Sequence, residues 1–538
     1  MPSRPPVVLS PGRRRAVLTV IALALMMVVS AVSGLNVALP ALARDTGASQ
    51  TELQWIVDAY TVVFAGLLLP AGAVGDRYGR RGVLLAGLAV FGAAAAVALL
   101  SSDPVVLIAM RAVMGLGAAL VMPVTLSVIT TSFPPQERAS AVALWVGVAG
   151  GGAVIGLLAS GALLEFFDWS SFFSLNVTLA LLAAVGVLLF IPASRDDQPQ
   201  RFDVPGAILS LLTIGGLVFG IIEGPDRGWS DPFTDMGFTV GGASLVGFVL
   251  WELRTPQPML DPRLFRLRGF GTGSLSVTIQ FFASFGFFFI GLQYLQFIVG
   301  YSPAQAALAM LPLPVVMLPT SRRVPALTSR FGANWVGAAG LLMIAAGLFT
   351  LSGLGVDFHY WQFAAGLVVF AAGMALASTP ATTAIVASLP PSRQGVASAV
   401  NDTSREFGSA LGIAILGSIL NDRYRSGIEH ALAGLPAPAR EHARSSVAFV
   451  QTGMADHYGV AGARLVSAAE HAFVDGASTA LQVGAAVLAA TALYVAARAP
   501  RRGDHTHTPG QEADAPPAIA HQLPAPGTAG PRLRRQLH

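Results

Sequence analysis

Cysteine is absent from this sequence, and so is lysine, because all 33 basic residues are arginines. Without cysteine the protein cannot have a disulfide framework, a thiolate metal site or a cysteine nucleophile. Charge is scarce as well: Asp, Glu, Lys and Arg make up 12% of the 538 residues, about half of the usual share in soluble domains. This composition excludes an ordinary cytosolic enzyme.

Long apolar segments fill most of the chain, in which 54% of the residues are hydrophobic. A membrane-spanning helix needs roughly 20 mainly apolar residues, and segments of this length recur between charged or Pro/Gly-rich breaks. They are too long and continuous for barrel strands, so we predict an all-α membrane protein. The fourteen predicted spans are 16–40, 53–74, 83–101, 105–127, 139–163, 172–192, 204–223, 237–253, 271–298, 304–328, 333–353, 360–386, 397–420 and 477–498.

Arginines in the short loops predict the orientation, because cytoplasmic loops carry an excess of basic residues. With the N-terminus inside, fourteen loop arginines lie in the cytoplasm, while Arg44 and Arg227 lie outside. The even number of spans then places both termini in the cytoplasm. The first span lacks a small-residue cleavage pattern, so we interpret it as a retained helix rather than a signal peptide.

Two polar segments flank the last span. Residues 421–476 form a predicted extracytoplasmic loop whose Ala-rich, charge-dotted sequence favours an amphipathic helix. The tail, 499–538, is rich in Pro, Ala and His and is predicted to be disordered. His505 and His507 could bind a metal, but a solvated tail is the stronger interpretation, and we predict no metal site.

An internal repeat indicates how the spans are arranged. DRYGRRGVLLAGL (76–88) matches SRFGANWVGAAGL (329–341), and ASAV at 139–142 recurs at 397–400. Both matches relate loops that are eight helices apart, which divides the spans into six, two and six. Two parallel six-helix bundles are a known transporter plan, with the substrate site between them near mid-membrane. The predicted segments are a cytoplasmic N-terminus (1–15), an N-terminal bundle (16–192), an inserted helix pair (204–253), a C-terminal bundle (271–498) and a cytoplasmic tail (499–538).

Several short motifs carry a family resemblance. GAVGDRYGRR (72–81) resembles the cytoplasmic loop signature of the major facilitator superfamily. The resemblance extends over most of residues 14–498, and four further strings resemble the 14-helix drug:proton antiporter branch. These strings are NVALP (36–40), LQWIVDAY (53–60), IEGPDRGW (222–229) and VNDTSREFG (400–408).

This resemblance implies the major facilitator fold with fourteen helices, in the bacterial inner membrane. It also implies a secondary transporter that exports amphipathic drugs or toxic compounds, by proton antiport and alternating access. Two departures bear on coupling and export. Ala31 stands where the branch usually has an acid. The fifth predicted span, 139–163, lacks the Gly-Pro that the branch usually has there.

The loop signature is a candidate gating element. We expect Gly72 and Gly79 to allow a close approach and a tight turn. Asp76 is placed to accept hydrogen bonds from a helix N-terminus, and Arg77 and Arg80 are placed to pair across the loop. Such a cluster can latch two rocking bundles; a merely solvated basic loop is the alternative.

Ionisable residues inside the membrane are costly and indicate function. Asp58 and Arg111 lie at similar depths, about 10 Å inside their spans at 1.5 Å per residue. The two side chains could pair in one conformation. When they separate, the acid favours its protonated form, which can couple proton binding to the rocking of the two bundles. A static buried salt bridge is the alternative.

The thirteenth predicted span, 397–420, carries Asp402, Arg405 and Glu406 at spacings of three and four, so all three share one face. Arg405 can neutralise one carboxylate and leave the other to titrate. We predict that Glu406 is the free acid. A structural pair between Arg405 and Glu406 is the alternative.

Two further sets of residues complete the predicted site. Polar or amphipathic residues on cavity-lining helices of the resembled fold are candidate substrate contacts, although aromatics there are more often core or interfacial: Asn36, Trp55, Tyr60, Gln280, Gln293, Tyr294, Gln296 and Asn401. Such a cavity suits amphipathic, often cationic compounds.

Small residues are expected to let helices pack closely at Gly115, Gly117, Gly152, Gly156 and Gly161. The phenylalanines of the ninth predicted span, 271–298, make it apolar on every side, so they do not indicate which face lines the cavity.

No nucleotide-binding signature is present, so energy must come from ion gradients. The expected partners are a small amphipathic substrate, protons and the lipid bilayer, with no nucleic acid, nucleotide or cofactor. One alternative is an uncoupled or differently coupled transporter of a metabolite or self-made antibiotic. The other is a membrane receptor or enzyme, for which the sequence offers no nucleophile and base set.

Overall fold

The structure is a computed structural model. It describes residues 10–193, 203–256, 258–389, 394–433, 435–452 and 454–500. The predictions for residues 1–9 and for most of the tail, including His505 and His507, lie outside the described residues.

The described chain is built from α-helices, whose apolar sequences satisfy their own backbone hydrogen bonds. The first nine are α1 (Pro11–Ser33), α2 (Leu35–Thr46), α3 (Gln50–Tyr78), α4 (Arg80–Leu99), α5 (Pro104–Ser132), α6 (Pro135–Leu164), α7 (Ser171–Phe190), α8 (Val204–Arg227) and α9 (Pro232–Arg254). The rest are α10 (Arg268–Gln293), α11 (Pro303–Ala309), α12 (Pro312–Phe331), α13 (Ala333–Ser352), α14 (Tyr360–Ala387), α15 (Gln394–Ile428), α16 (Ala437–Ser445), α17 (Val447–Gln451) and α18 (Met454–Arg498).

Twelve helical segments within the described residues are long and apolar enough to cross a membrane. Two further long helices, α6 and α15, coincide with the predicted spans 139–163 and 397–420. The charges of α15 set it apart from the twelve. Together these helices overlap all fourteen predicted spans, and the all-helical fold class is confirmed.

The first predicted span is not one straight helix. It divides at Gly34 into α1 and α2, and α2 contains Pro40. Gly34 lies against α6: a Cβ placed there would come within 3.2 Å of the Gly156 carbonyl oxygen. The break therefore accompanies a close helix contact that hydropathy does not report.

The segment 421–476 is largely helical in its described parts. Helix α15 continues to Ile428, the short helices α16 and α17 follow, and α18 already begins at Met454. The last membrane span is thus the C-terminal part of a 45-residue helix.

Helix contacts separate two groups, which we call the N-terminal bundle (α1–α7) and the C-terminal bundle (α10–α18). Helix α3 packs on α5 and α1 on α6 in the first; α10 packs on α15 and α13 on α14 in the second. Helices α8 and α9 pack on each other, and α8 also contacts α3 and α15. The segment boundaries predicted above remain predictions.

The internal repeat is visible in the backbone. Gly79 joins α3 to α4 with φ 104°, and Gly332 joins α12 to α13 with φ 91°. Both values lie in the region that favours glycine, because a Cβ is strained there. The matched glycines therefore make the same sharp turn between consecutive helices in the two halves.

Candidate functional site

The loop signature places its basic residues around the turn at Gly79. Arg80 is 8% exposed, and its Nε donates to the Ser127 hydroxyl of α5 at 2.6 Å. Arg77 is exposed and lies 5.7 Å from the Tyr78 ring. Arg80 thus binds inside its own bundle, while the side chain of Asp76 lies outside the described residues.

The close approach expected at Gly72 occurs instead at Gly75. A Cβ at Gly72 would meet Pro123 at 3.6 Å, an ordinary contact, whereas one at Gly75 would lie 2.5 Å from the Val124 side chain. One helical turn separates the two glycines along one face of α3. The motif alone does not show which of them approaches α5 more closely.

Asp58 and Arg111 are both fully buried, in α3 and α5. Thr61 Oγ1 donates to Asp58 Oδ1 at 3.0 Å, and Arg111 Nε donates to the Ile56 carbonyl at 2.9 Å. No ion pair joins Asp58 to Arg111 in the described part of the chain. The static salt bridge left open by the sequence is thus not formed in this conformation.

Unused hydrogen-bonding capacity remains at both residues. Asp58 Oδ2 and both Arg111 Nη atoms are buried without a hydrogen-bond partner. The guanidinium carbon lies 4.3 Å from the centre of the Tyr60 ring, which partly compensates the buried cation. Buried polar groups usually have partners, so these atoms point to a rearrangement or an unseen partner.

The three charges of α15 share a partly exposed face. Arg405 lies over the Phe281 ring at 5.2 Å, and its Nε has no hydrogen-bond partner. Among the described residues, neither Asp402 nor Glu406 forms an ion pair with Arg405. The alternative of a structural Arg405–Glu406 pair is therefore not seen in this conformation.

Polar contacts link this face to its surroundings. Asn401 donates to Asp402 at 3.4 Å and accepts from the Thr382 hydroxyl of α14 at 3.1 Å. Helix α15, which carries Glu406, packs on α3, which carries Asp58. The predicted acids of the two bundles therefore lie on neighbouring helices.

Several predicted substrate contacts instead bind their own backbone or a neighbouring helix. Asn36 donates to Val32 O at 3.0 Å, and Gln293 to Phe289 O at 2.9 Å. Tyr60 donates to the Val28 carbonyl at 3.1 Å. These three side chains are buried in helix packing in this conformation.

Other predicted contacts join different helices. Gln280 donates to Ser276 and accepts from the Ser378 hydroxyl at 2.8 Å. Tyr294 donates to the Gly355 carbonyl at 2.6 Å. Trp55 keeps partial exposure, and its indole donates to Glu223 of α8 at 2.8 Å. Of these residues, Trp55 is the one joined to the α8–α9 pair.

Helix α10 does carry an aromatic stripe, contrary to the sequence interpretation. Phe281, Phe285 and Phe288 are partly exposed, whereas Phe282 and Phe287 are buried. The Phe281 and Phe285 rings stack at 6.0 Å. The spacings of four and three between Phe281, Phe285 and Phe288 indicate one helix face. The sequence does not single out this face, because phenylalanines also occupy the buried side.

Small residues allow close helix contacts at most of the predicted glycines. A Cβ at Gly115 would lie 2.5 Å from the Tyr60 carbonyl oxygen, and one at Gly152 would lie 3.3 Å from the Met26 sulfur. The remaining distances are 2.8 Å at Gly117 to the Gly87 oxygen, 2.7 Å at Gly156 to Ser30 and 2.7 Å at Gly161 to Ala307. The Gly161 contact lies between the bundles, since Ala307 belongs to α11.

One end of the molecule, which we call the closed end, joins the two bundles. Hydrogen bonds cross between them there: Arg44 to Gln296 O (3.2 Å), Gln296 to Val37 O (3.0 Å), Gln54 to Ile413 O (3.3 Å) and Asn421 to Thr51 (3.1 Å). The arginine-based orientation predicts that this end faces the outside. Gln296 is thus part of this contact in the present conformation.

Comparisons with known proteins match this chain to a transporter family and to proteins named for drug efflux or resistance. The Major Facilitator Superfamily model matches residues 21–413. The multidrug efflux pump LfrA of Mycolicibacterium smegmatis is 33% identical over 486 residues, covering 90% of this chain and 96% of that protein. The methyl viologen resistance protein SmvA of Salmonella typhimurium is 33% identical over 498 residues, covering 91% and 100%.

A solved structure shares the fold. It is a bacterial homologue of the human lysosomal transporter Spinster, in an inward-facing and unoccupied conformation. The TM-score is 0.65 at 16% identity, covering 91% of this chain and 98% of that one.

Proposed function

Because the chain belongs to the Major Facilitator Superfamily, we propose that it exports amphipathic toxic compounds across the bacterial inner membrane in exchange for protons. Relatives that match nearly end to end are named for multidrug efflux and methyl viologen resistance, which supports the direction and the kind of cargo. The protein is a secondary transporter rather than an enzyme. Proton exchange and a preference for cations are the proposal's own steps.

The observation that carries proton coupling is the unpaired state of Asp58. It is fully buried in a membrane helix, and no cation neutralises it among the described residues. A carboxyl group in such surroundings favours its neutral, protonated form. Pairing with Arg111 in another conformation would favour the ionised form and release the proton.

Glu406 is the second candidate carrier. It is partly exposed, so it can exchange protons in the conformation seen here. Asp402 lies one turn away on the same helix, where Asn401 donates to it. Asp402 therefore offers a next proton acceptor toward the N-terminal end of α15. Two carriers would allow two protons to move for each substrate.

Energetics favour a pH gradient or a second proton for a cationic cargo. One proton crossing about 100 mV releases about 2.3 kcal/mol, enough for a roughly fifty-fold gradient of a neutral compound. A monocation exchanged for one proton moves no net charge. The membrane potential then does no work, and a pH difference must drive export.

The test is pH-driven transport of a fluorescent amphipathic cation such as ethidium in membrane vesicles. We expect Asp58→Asn and Glu406→Gln to reduce transport about tenfold or more, the effect of losing about 1.4 kcal/mol from the driving step. Glu429→Gln is the matched control, because Glu429 is exposed and its ion-pair partner is Arg444. Normal transport and proton release in both test variants would reject this coupling scheme.

A specific observation keeps an uncoupled transporter as the second candidate. Ala31, fully buried in α1, stands where the resembled antiporter branch usually has an acid. Export that continues at the normal rate with a protonophore present would favour this candidate, whose expected cargo is a metabolite or self-made antibiotic.

A further inference from the structure

The far end of α8 lies between the two bundles at the closed end. Trp55 of α3 donates to Glu223 at 2.8 Å. On the opposite side, Ser418 of α15 donates to the Ile221 carbonyl at 2.7 Å. A short stretch of α8 therefore holds polar contacts with both bundles.

A break in the α8 hydrogen-bond ladder makes one of these contacts possible. Pro225 lies inside α8 and has no N–H to offer the Ile221 carbonyl four residues earlier. That carbonyl would otherwise lack its helical partner, and the Ser418 hydroxyl supplies one from the other helix. The proline in the motif IEGPDRGW thus creates an acceptor for the C-terminal bundle.

An ion pair strengthens the same side. Arg425 of α15, 8% exposed, pairs with Asp226 of α8. Its second nitrogen lies 3.9 Å from Glu441 on α16. Arg425 therefore connects α15 with α8 and with the short helix α16.

An apolar cluster fills the space between the three helices. Ile214, Val218 and Ile222 of α8 pack with residues of both α3 and α15, namely Val62, Ala65, Ala410 and Ala414. The α3 side is the tighter one: a Cβ at Gly66 would lie 3.0 Å from the Leu211 Cα. The α15 side combines small residues with a hydroxyl link and an ion pair whose Asp226 side chain is 32% exposed, so water can take over these polar contacts when the helices separate.

We propose that residues 214–227 of α8 form an outer clasp, which stays on α3 and releases α15 when the closed end opens. Separating the bundles increases the distance between Trp55 and Ser418, so α8 cannot keep both contacts. Close backbone packing holds it to α3. The hydroxyl and ion-pair links to α15 are the ones that break, and their strength sets how often the closed end opens.

The absence of native cysteine allows a direct test. Ala307 on α11 is 1% exposed and packs against α6 across the bundle interface. In an Ala307→Cys protein, a membrane-impermeant maleimide added to right-side-out vesicles reacts when the closed end opens. Labelling does not depend on export, so it distinguishes failure of the clasp from failure of the proposed function.

We expect Asp226→Asn and Ser418→Ala, each in the Ala307→Cys background, to raise the labelling rate about fivefold, which corresponds to about 1 kcal/mol. Glu429→Gln is the control, because it removes an outer ion pair of 3.2 Å within the C-terminal bundle. It should leave the rate unchanged. Labelling is normalised to the amount of protein in the membrane.

Charge exchange identifies the ion pair as the cause. Asp226→Arg and Arg425→Asp alone should each raise the rate, and the double variant should return it toward that of the parent. Rates in Asp226→Asn and Ser418→Ala equal to that of Glu429→Gln would overturn the clasp. So would a double variant that labels as fast as the single ones.

Discussion

Asp58 in the N-terminal bundle is fully buried, whereas Glu406 in the C-terminal bundle is partly exposed, although both lie in membrane helices without an ion-pair partner among the described residues. The difference concerns access. Under the proposed proton coupling, Asp58 requires a movement of the protein before it exchanges a proton, whereas Glu406 does not. The two acids would then act at different stages of one cycle.

The largest effect is expected from Arg111, the buried cation that binds the Ile56 carbonyl. Arg111→Gln removes the partner that would displace the proton, and we expect pH-driven transport to fall about 100-fold, equal to about 2.7 kcal/mol. Arg111→Lys keeps the charge but loses the fork that binds Ile56 O and the Tyr60 ring, so its loss should be smaller. Vesicle transport rates measure both. Equal activity in Arg111→Gln and the parent would remove Arg111 from the cycle.

The close contact between Gly115 and the Tyr60 backbone gives the next largest effect. A Cβ at Gly115 would lie 2.5 Å from the Tyr60 carbonyl oxygen, so Gly115→Ala should lower the free energy of unfolding by about 1–3 kcal/mol. Gly72→Ala is the control, with 3.6 Å to Pro123, and should change stability by about 0.5 kcal/mol or less. Thermal unfolding of purified protein in detergent compares them. A stability loss of the same size in both variants would show that this contact is not tight.

Chemical modification tests the difference in access itself. A hydrophobic carbodiimide should modify Glu406 about tenfold faster than Asp58, because exposure governs the reaction and a tenfold difference needs only about 1.4 kcal/mol. Mass spectrometry of the two peptides measures the rates. Glu406→Gln serves as the control, since its modification must vanish. Faster modification of Asp58 would reverse the proposed order of access.

The smallest effect concerns the aromatic stripe. Phe281→Leu removes the ring beneath Arg405, a cation–π contact worth about 0.5–1 kcal/mol at a partly exposed site, so transport should change about two- to fivefold. Phe282→Leu is a buried control on α10, outside the stripe. A larger effect on transport from Phe282→Leu would show that packing, and not the stripe, matters.

The sequence predicted the helices well because a span needs only length and hydropathy. It also related the turns at Gly79 and Gly332, which share one backbone conformation. Depth along a helix follows from residue counting, so Asp58 and Arg111 could be placed at similar levels. Whether their side chains meet depends on rotation about each helix axis and on tilt, which counting does not fix.

Other features were hidden for different physical reasons. An all-apolar helix such as α10 has no polar face from which orientation can be inferred, so the stripe of Phe281, Phe285 and Phe288 was missed. Helix was predicted within 421–476, but its continuity with the last span was not, because a hydropathy window detects the membrane part alone. Its Ala-rich outer part has high helix propensity and continues the same helix.

The length of α18 has a mechanical consequence. Its 45 residues extend about 68 Å at 1.5 Å per residue, while the hydrocarbon layer is about 30 Å thick. A tilt of about 10° would move its far end by about 12 Å relative to its base, treating the helix as a rigid rod of that length. Over this length, small rotations of the bundle would become displacements of several ångströms, which a spin label at the exposed Val460 would report.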